Sequence, residues 1–334
     1  MSVNKFDHKH AAHCESGVMS SILRHYGLDL SEPMVFGLSS ALSFAYLPFV
    51  KMGGMPLIAY RNLPKSIIKN IRKNLNVKMK LETFSSKEKG QKRLEELLDE
   101  GKIVGAQTSV YWLPYFPEEM RFHFNAHNLL VYAKEGNNFK ISDPVFEETV
   151  ECDKDALLKA RFVKGVMAPK GLLYYPVEVP TDIDLKPVIV KSIKKVAKSM
   201  LNTPVPIAGL KGMRYLAKAI LKLESKDEKY AKLFLGHIVR MQEEIGTGGA
   251  GFRYIYASFL QESSLLFDND ESLKEASEMF LEVGDSFREF ALMIAKAIRS
   301  KKEIDFRAIS DKLYFIADEE TKVYKKLLEF CKNN

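Results

Sequence analysis

A single cysteine near the start of the chain, Cys14, has neighbours that suit nucleophilic chemistry. It follows three histidines, His8, His10 and His13. The amphipathic spacing of residues 18–26 predicts a helix just after it. A thiol at a helix N-terminus faces unpaired backbone N–H groups and the positive end of the helix dipole, and both stabilise the thiolate. Cys14 is therefore a candidate nucleophile.

A nucleophilic cysteine needs a base and a third group that orients this base. His127 opens the apolar segment HNLLVYA, and Asp143 ends the segment KISDP. Gly136, Asn137 and Asn138 lie between them, and these residue types tolerate the positive φ of a hairpin turn. The beginning of one hairpin strand lies beside the end of the other. We therefore predict that His127 and Asp143 meet, with His127 as the base for Cys14.

The segments that position these residues predict an α+β domain. Helical spacing extends over residues 63–75 and 87–100, and residues 36–59 predict a short helix followed by a loop and a strand. After Gly101 the pattern changes to short apolar runs, which predict an antiparallel sheet with strands at 103–110, 127–133, 139–141 and 171–175.

The chain after residue 188 is helical almost throughout. Prolines at 176, 180 and 187 mark the boundary, so we predict one domain at 1–182 and an all-α domain at 183–334. The helices predicted there cover 188–201, 208–222, 227–245, 251–267, 270–299 and 305–332.

Composition excludes several classes of protein. No run of about 20 apolar residues predicts a membrane span, and no signal peptide is recognised. The three cysteines, Cys14, Cys152 and Cys331, are too few and too widely spaced for a disulfide framework or a Cys-x-x-Cys zinc site. A reducing, cytoplasmic location is expected.

The formal net charge is +7. Much of the excess lies in the lysine-rich segment 186–198, which forms either a solvated helix face or a docking surface for an acidic partner. Nucleic-acid binding is not predicted, because the segment is not interleaved with aromatic residues.

Two motifs suggest ligands that their context argues against. The histidines before Cys14 resemble a metal cluster, but no second group of ligands accompanies them, so no metal site is predicted.

Residues 246–251 match G-x-G-x-x-G, yet a predicted helix precedes them instead of the strand that a dinucleotide site requires. A helix-helix connection with close backbone approach is the preferred interpretation, and an anion site at Phe252 and Arg253 is the alternative.

The N-terminal part resembles the family named for the N-terminal domain of butirosin biosynthesis protein H. The resemblance lies in residues 13–15, 23–27, 30–38, 127–131 and 142–144. The C-terminal part resembles the helical domain that commonly follows, most clearly at 246–253 and 259–262. The order of Cys, His and Asp is also similar to that of the bacteriocin-processing C39 peptidases, whose fold is papain-like.

The resemblance implies acyl transfer, in secondary metabolism such as antibiotic biosynthesis. Cys14 would attack a phosphopantetheine thioester on an acidic acyl carrier protein, His127 would accept and return the proton, and Asp143 would orient His127. A small-molecule amine would then take the acyl group. No bound cofactor is implied, because the thioester is a substrate.

One departure from the C39 pattern concerns the oxyanion. Those enzymes carry a glutamine about six residues before the cysteine, where this chain has His8. The backbone N–H of Cys14 and a ring nitrogen of His8 are the expected donors.

Further residues are expected to line the substrate pocket. They are Tyr111, Trp112 and Tyr115 in an aromatic loop, Asn128 beside His127, and His13, which alternatively caps the helix. Two other functions remain open: a cysteine hydrolase, such as a peptidase or thioesterase, and a non-catalytic protein that binds acyl groups or their carrier. No oligomeric state is predicted.

Overall fold

The computed structural model describes residues 6–334, which form two compact units. Among these residues, one unit comprises 6–35 together with 67–183, and the other comprises 36–66 together with 184–334. The boundary between the units at 183/184 lies next to the predicted domain boundary at 182/183. Residues 36–66, however, group with the helical unit and not with the rest of the N-terminal part.

Eight strands and eleven α-helices are found among the described residues. The strands are β1 (Leu42–Met52), β2 (Met55–Arg61), β3 (Lys78–Glu82), β4 (Val104–Thr108), β5 (His127–Glu135), β6 (Asn138–Ser142), β7 (Val150–Asp153) and β8 (Leu173–Glu178). The helices are α1 (Cys14–His25), α2 (Glu32–Leu38), α3 (Ser66–Asn74), α4 (Lys87–Asp99), α5 (Lys154–Arg161), α6 (Lys186–Asn202), α7 (Gly209–Leu221), α8 (Glu228–Val239), α9 (Arg253–Leu266), α10 (Glu271–Arg299) and α11 (Phe306–Asn333). The fold is α+β, as predicted.

The first unit is built on a six-stranded antiparallel sheet. Its strand order is β3-β8-β4-β5-β6-β7, and β5 and β6 form the predicted hairpin, closed by Gly136 at a positive φ of 58°. The predicted sheet lacked β3 and β7, which alternate polar and apolar residues but are only five and four residues long. Apolar side chains from α4, α5 and the sheet form the core; they include Leu94, Leu97, Val104, Leu129, Val131, Phe139, Ile141 and Leu157.

Helix α1 begins at Cys14, four residues before the stretch that the sequence pattern identified. His13 is its N-cap, with extended backbone and a side chain that accepts a hydrogen bond from Ser16 N. Gly17 falls in the first turn, where a Cβ would lie 2.8 Å from Cβ of Pro144. Gly and Ser have low helix propensity, so the sequence pattern did not reveal this turn. Glycine is required there by the close packing against Pro144.

The second unit contains the β1–β2 hairpin and α6 to α11. The short helix and the loop predicted within 36–59 are found at the end of α2 and at residues 39–41. The single strand predicted after them is wrong, since two paired strands follow and turn at Gly53 and Gly54. The turn glycines broke the sequence pattern, while burial of alternate residues such as Phe44 and Tyr46 supports the strand.

A glycine-rich connection joins α8 to α9. A π-helical turn, Arg240–Glu244, precedes it, so the segment at 246–251 follows a helix, as predicted. Gly251 has a φ of 55°, and a Cβ there would overlap the ring of Tyr60. Arg253, fully buried at the start of α9, forms an ion pair with the equally buried Glu320 at 2.7 Å. No helix within residues 6–334 is both long and apolar enough to cross a membrane.

Candidate active site

Cys14 is the first residue of α1, and a half-buried carboxylate fixes the turn that leads to it. Glu32 accepts hydrogen bonds from the backbone N–H groups of Ala12 and His13, both at 2.8 Å, and from the Ser16 hydroxyl at 2.9 Å. Burial raises the pKa of Glu32, and these three donors oppose the rise. The position of the thiol therefore depends on a carboxylate 18 residues further along the chain.

The next residue, Glu15, is fully buried and holds the other side of the turn. Its Oε1 accepts from the backbone N–H groups of Ile67 at 3.0 Å and Ile68 at 3.3 Å. These groups lie in the first turn of α3, where backbone N–H groups lack intrahelical acceptors. The turn at Cys14 is thus held by two carboxylates that accept hydrogen bonds from backbone N–H groups.

His127 and Asp143 meet at the end of the β5–β6 hairpin opposite its turn. His127 Nε2 lies 2.7 Å from Asp143 Oδ2, and both side chains are buried. The Cys14 thiol lies close enough to the His127 ring to raise its pKa. Because Nε2 faces the carboxylate, Nδ1 is the ring atom left for the sulfur. Helix α1 packs against β5, and this packing brings together the three residues that the sequence selected.

Asp143 accepts two further hydrogen bonds that the sequence did not reveal. The Tyr115 hydroxyl donates to the same oxygen, Oδ2, at 2.8 Å, and the N–H of Val145 donates to Oδ1 at 3.3 Å. Tyr115 was predicted to line a substrate pocket, but the structure places its hydroxyl on Asp143. These donors and His127 together fix the position of the carboxylate.

The charge of Asp143 governs the protonation of His127. Burial lowers the pKa of His127, but the Asp143 carboxylate, through its charge and its hydrogen bond, and the nearby Cys14 raise it to about 10. The imidazole therefore keeps its proton at neutral pH. A cation beside a cysteine at a helix N-terminus favours the thiolate.

Asn128 and Tyr174 complete the surroundings of the thiol. Asn128 Nδ2 lies 3.9 Å from Cys14 Sγ and donates to Ala126 O at 3.1 Å. The Tyr174 hydroxyl donates to Asn128 Oδ1 at 3.1 Å. Tyr174 belongs to a predicted strand, but nothing in the sequence indicated that its side chain reaches this site.

His8 does not face the sulfur as an oxyanion donor. Its Nδ1 lies 2.7 Å from the Ser142 hydroxyl, and its Nε2 donates to the carbonyl of Phe146 at 2.8 Å. Both ring nitrogens are thus engaged with the segment around Asp143. The structure does not support the expected oxyanion role and gives His8 a role in holding the N-terminal arm.

The remaining predicted pocket residues make other contacts. His13 caps α1, which was the alternative interpretation. Tyr111 and Trp112 are partly exposed and contact each other edge to face; Tyr111 stacks on His123 at 4.1 Å. His123, four residues before His127, thus pairs with an aromatic ring. Within the described chain, no three His, Cys, Asp or Glu residues form a group that could hold a metal ion.

The two other cysteines lie in apolar surroundings. Burial raises the pKa of Cys152 to about 12 and that of Cys331 to about 11. Such thiols are poor nucleophiles at neutral pH, which leaves Cys14 as the reactive candidate.

A cysteine at the start of a helix, packed against an antiparallel sheet that supplies His and Asp, is the arrangement of papain-like cysteine enzymes. The fold of the first unit is of this class. Residues 155–327 match the family model described as a domain of unknown function, DUF4872, and the chain belongs to that family. Residues 13–144 match the family described as butirosin biosynthesis protein H, N-terminal, which confirms the resemblance found in the sequence.

Among solved structures, a protein described as a C39-like peptidase from Bacillus anthracis is similar to part of the chain. The identity is 15% and the TM-score 0.35, over 53% of this chain and 92% of the other. No curated protein matches the chain.

Proposed function

We propose that this protein is an acyltransferase that moves an acyl group from a carrier-protein thioester, through an acyl-enzyme on Cys14, to an amine. The observation that carries the proposal is the chain of contacts from the Cys14 thiol to His127 and from His127 to Asp143. The match of residues 13–144 to a biosynthetic protein supports transfer over proteolysis.

In the proposed reaction, the Cys14 sulfur attacks the thioester carbonyl and a tetrahedral oxyanion forms. The oxyanion collapses, the bond from carbon to the carrier's sulfur breaks, and His127 gives its proton to the departing thiol. The amine then attacks the Cys14 thioester, His127 takes a proton from the attacking nitrogen, and the thiolate leaves. Asp143 stabilises the imidazolium in each step, and Tyr115 helps to hold Asp143.

Two further features fit this substrate. Cys14 is only 7% exposed, so the reacting end of the donor has to be slender, as a thioester on a phosphopantetheine arm is. Helix α6 buries its apolar side chains and exposes its lysines, namely Lys186, Lys191, Lys194, Lys195 and Lys198. Acidic carrier proteins would be attracted to such a face. Loss of the thioester and gain of an amide make the transfer downhill.

The test is intact mass spectrometry after incubation with acylated carrier proteins or small acyl thioesters. We expect a single acyl adduct that Cys14→Ala lacks and that Cys331→Ala, the matched control at a buried thiol, retains. Adding amines should release the adduct as an amide. Release only as free acid would favour the hydrolase, and absence of an adduct from any thioester would refute both.

A further inference from the structure

The oxyanion of the proposed reaction needs two donors, and the chain lacks the expected one. The backbone N–H of Cys14, at the start of α1, is one donor. His8 stands where the glutamine was expected, and its nitrogens face Ser142 and Phe146. A second donor therefore has to come from elsewhere around the sulfur.

The amide of Asn128 has the required position. Its Nδ2 lies 3.9 Å from Cys14 Sγ. In the tetrahedral adduct the oxyanion is only two bonds from the sulfur, so a donor at this distance can reach it. One hydrogen of Nδ2 goes to the carbonyl of Ala126, and an amide nitrogen carries two. The other hydrogen of Nδ2 is directed toward Cys14 Sγ.

The orientation of this amide is fixed from both ends. A backbone carbonyl such as Ala126 O only accepts hydrogen bonds, so the atom that faces it is the nitrogen. At the other end, the buried Tyr174 hydroxyl donates to Oδ1 at 3.1 Å. Burial, followed by the charges of Glu15 and Cys14, raises the pKa of Tyr174 well above its ordinary value, so the hydroxyl remains a donor.

The sheet is built to let Tyr174 reach this amide. Tyr174 lies on β8, Asn128 lies on β5, and β4 runs between these strands. The β4 residue in register with Tyr174 is Gly105. A Cβ at Gly105 would lie 2.7 Å from Cδ2 of the Tyr174 ring and closer still to two other ring atoms. Glycine in a central strand weakens a sheet and often marks a close approach; here it admits the tyrosine ring.

We infer that Asn128 is a catalytic residue that donates from Nδ2 to the oxyanion, and that Tyr174 is the positioning residue that orients its amide. The inference rests on the proposed function. The second oxyanion donor is then Asn128, on β5 next to His127, instead of a residue that precedes Cys14 in the sequence.

The test compares two reactions of Cys14. Acylation by a thioester passes through an oxyanion, whereas alkylation by iodoacetamide displaces iodide at carbon and forms none. Asn128→Ala should slow acylation by about 10²- to 10³-fold, the usual effect of removing one oxyanion donor. Alkylation should change by less than about twofold. Asn128→Leu, which keeps the size, should behave in the same way and serves if the alanine variant does not fold.

Tyr174→Phe should slow acylation by about two- to tenfold, the effect of one hydrogen bond, and leave alkylation unchanged. Tyr175→Phe is its matched control, because this neighbouring hydroxyl contacts Glu82 and Arg93 and not the amide. Equal acylation rates in the wild type and the Asn128 variants would overturn the inference alone. A parallel loss of alkylation would also overturn it, because the amide would then act on the thiolate. No acylation of the wild-type protein would overturn the proposed function and, with it, this inference.

Discussion

Replacing Asp143 with asparagine tests whether this carboxylate keeps the proton on His127. The substitution keeps the size of a fully buried side chain but removes its charge. Burial alone lowers the pKa of His127, and the charge of Asp143 is the main cause that raises it to about 10. Without that charge, the imidazole should be mostly neutral at pH 7 and above.

The expected magnitude follows from the thiolate that this proton supports. A cation beside a thiol favours the thiolate, so the wild type should be alkylated about 10- to 10²-fold faster than Asp143→Asn near pH 7, where only the wild-type His127 is charged. The difference should shrink between about pH 6.5 and pH 10, because the wild-type His127 loses its proton as the pH rises through about 10.

The assay is the rate of iodoacetamide adduct formation, followed by intact mass across this pH range. Asp153→Asn is the matched control, because Asp153 caps α5 by accepting from Ala156 N and asparagine caps helices equally well. Parallel pH profiles for the wild type and Asp143→Asn would refute the reasoning, since Asp143 would then not govern the charge of His127.

Other predictions concern the supports of the site and the helical unit. Tyr115→Phe removes one donor from Asp143 and should slow acylation about two- to tenfold; an unchanged rate would show that the hydroxyl does not matter. Glu32→Gln should lower the free energy of unfolding by about 1.5–3 kcal/mol in urea titrations, because the charged acceptor of three hydrogen bonds is lost. Arg253→Met or Glu320→Leu alone should each lower the free energy of unfolding by about 3–5 kcal/mol, because the partner's charge remains buried without its counterion. The double variant should lose less than the sum of the two single losses, and additive losses would contradict this interpretation. The raised pKa of His127 makes its pair with Asp143 fully stabilising below about pH 6.5 and progressively weaker as the pH rises through about 10. The difference in unfolding free energy between the wild type and Asp143→Asn should therefore shrink over this range, and a constant difference would argue against the pair.

The sequence predicted the parts of the site that depend on local structure. A Gly-Asn-Asn turn between two short apolar runs predicts the hairpin and brings the start of one strand near the end of the other, and so His127 near Asp143. The shift of register between Val131 and Ala133 could not be predicted from the turn. The first turn of α1 was missed, since Gly17 and the serines around it have low helix propensity, and the turn is stabilised by the His13 cap and by packing against Pro144.

Residues that act across strands or from distant segments could not be predicted. Tyr174 reaches Asn128 only because β8 pairs with β4 and Gly105 leaves room, and neither fact follows from local spacing. Glu32 begins α2, and no local pattern indicated that its carboxylate binds the turn before Cys14. His8 occupied the position of an expected glutamine, but position in the sequence did not determine which atoms its ring would face.

The path of the chain has a consequence for how this protein can be divided or recombined. The segment 36–66 belongs to the helical unit although it is encoded within the N-terminal part. Its buried side chains include Phe44, Ile58 and Tyr60, which a fragment ending at residue 183 would leave without their helical partners. A gene fusion or deletion at that boundary would therefore break the core of the helical unit. The two units can be exchanged between proteins only if residues 36–66 move together with residues 184–334.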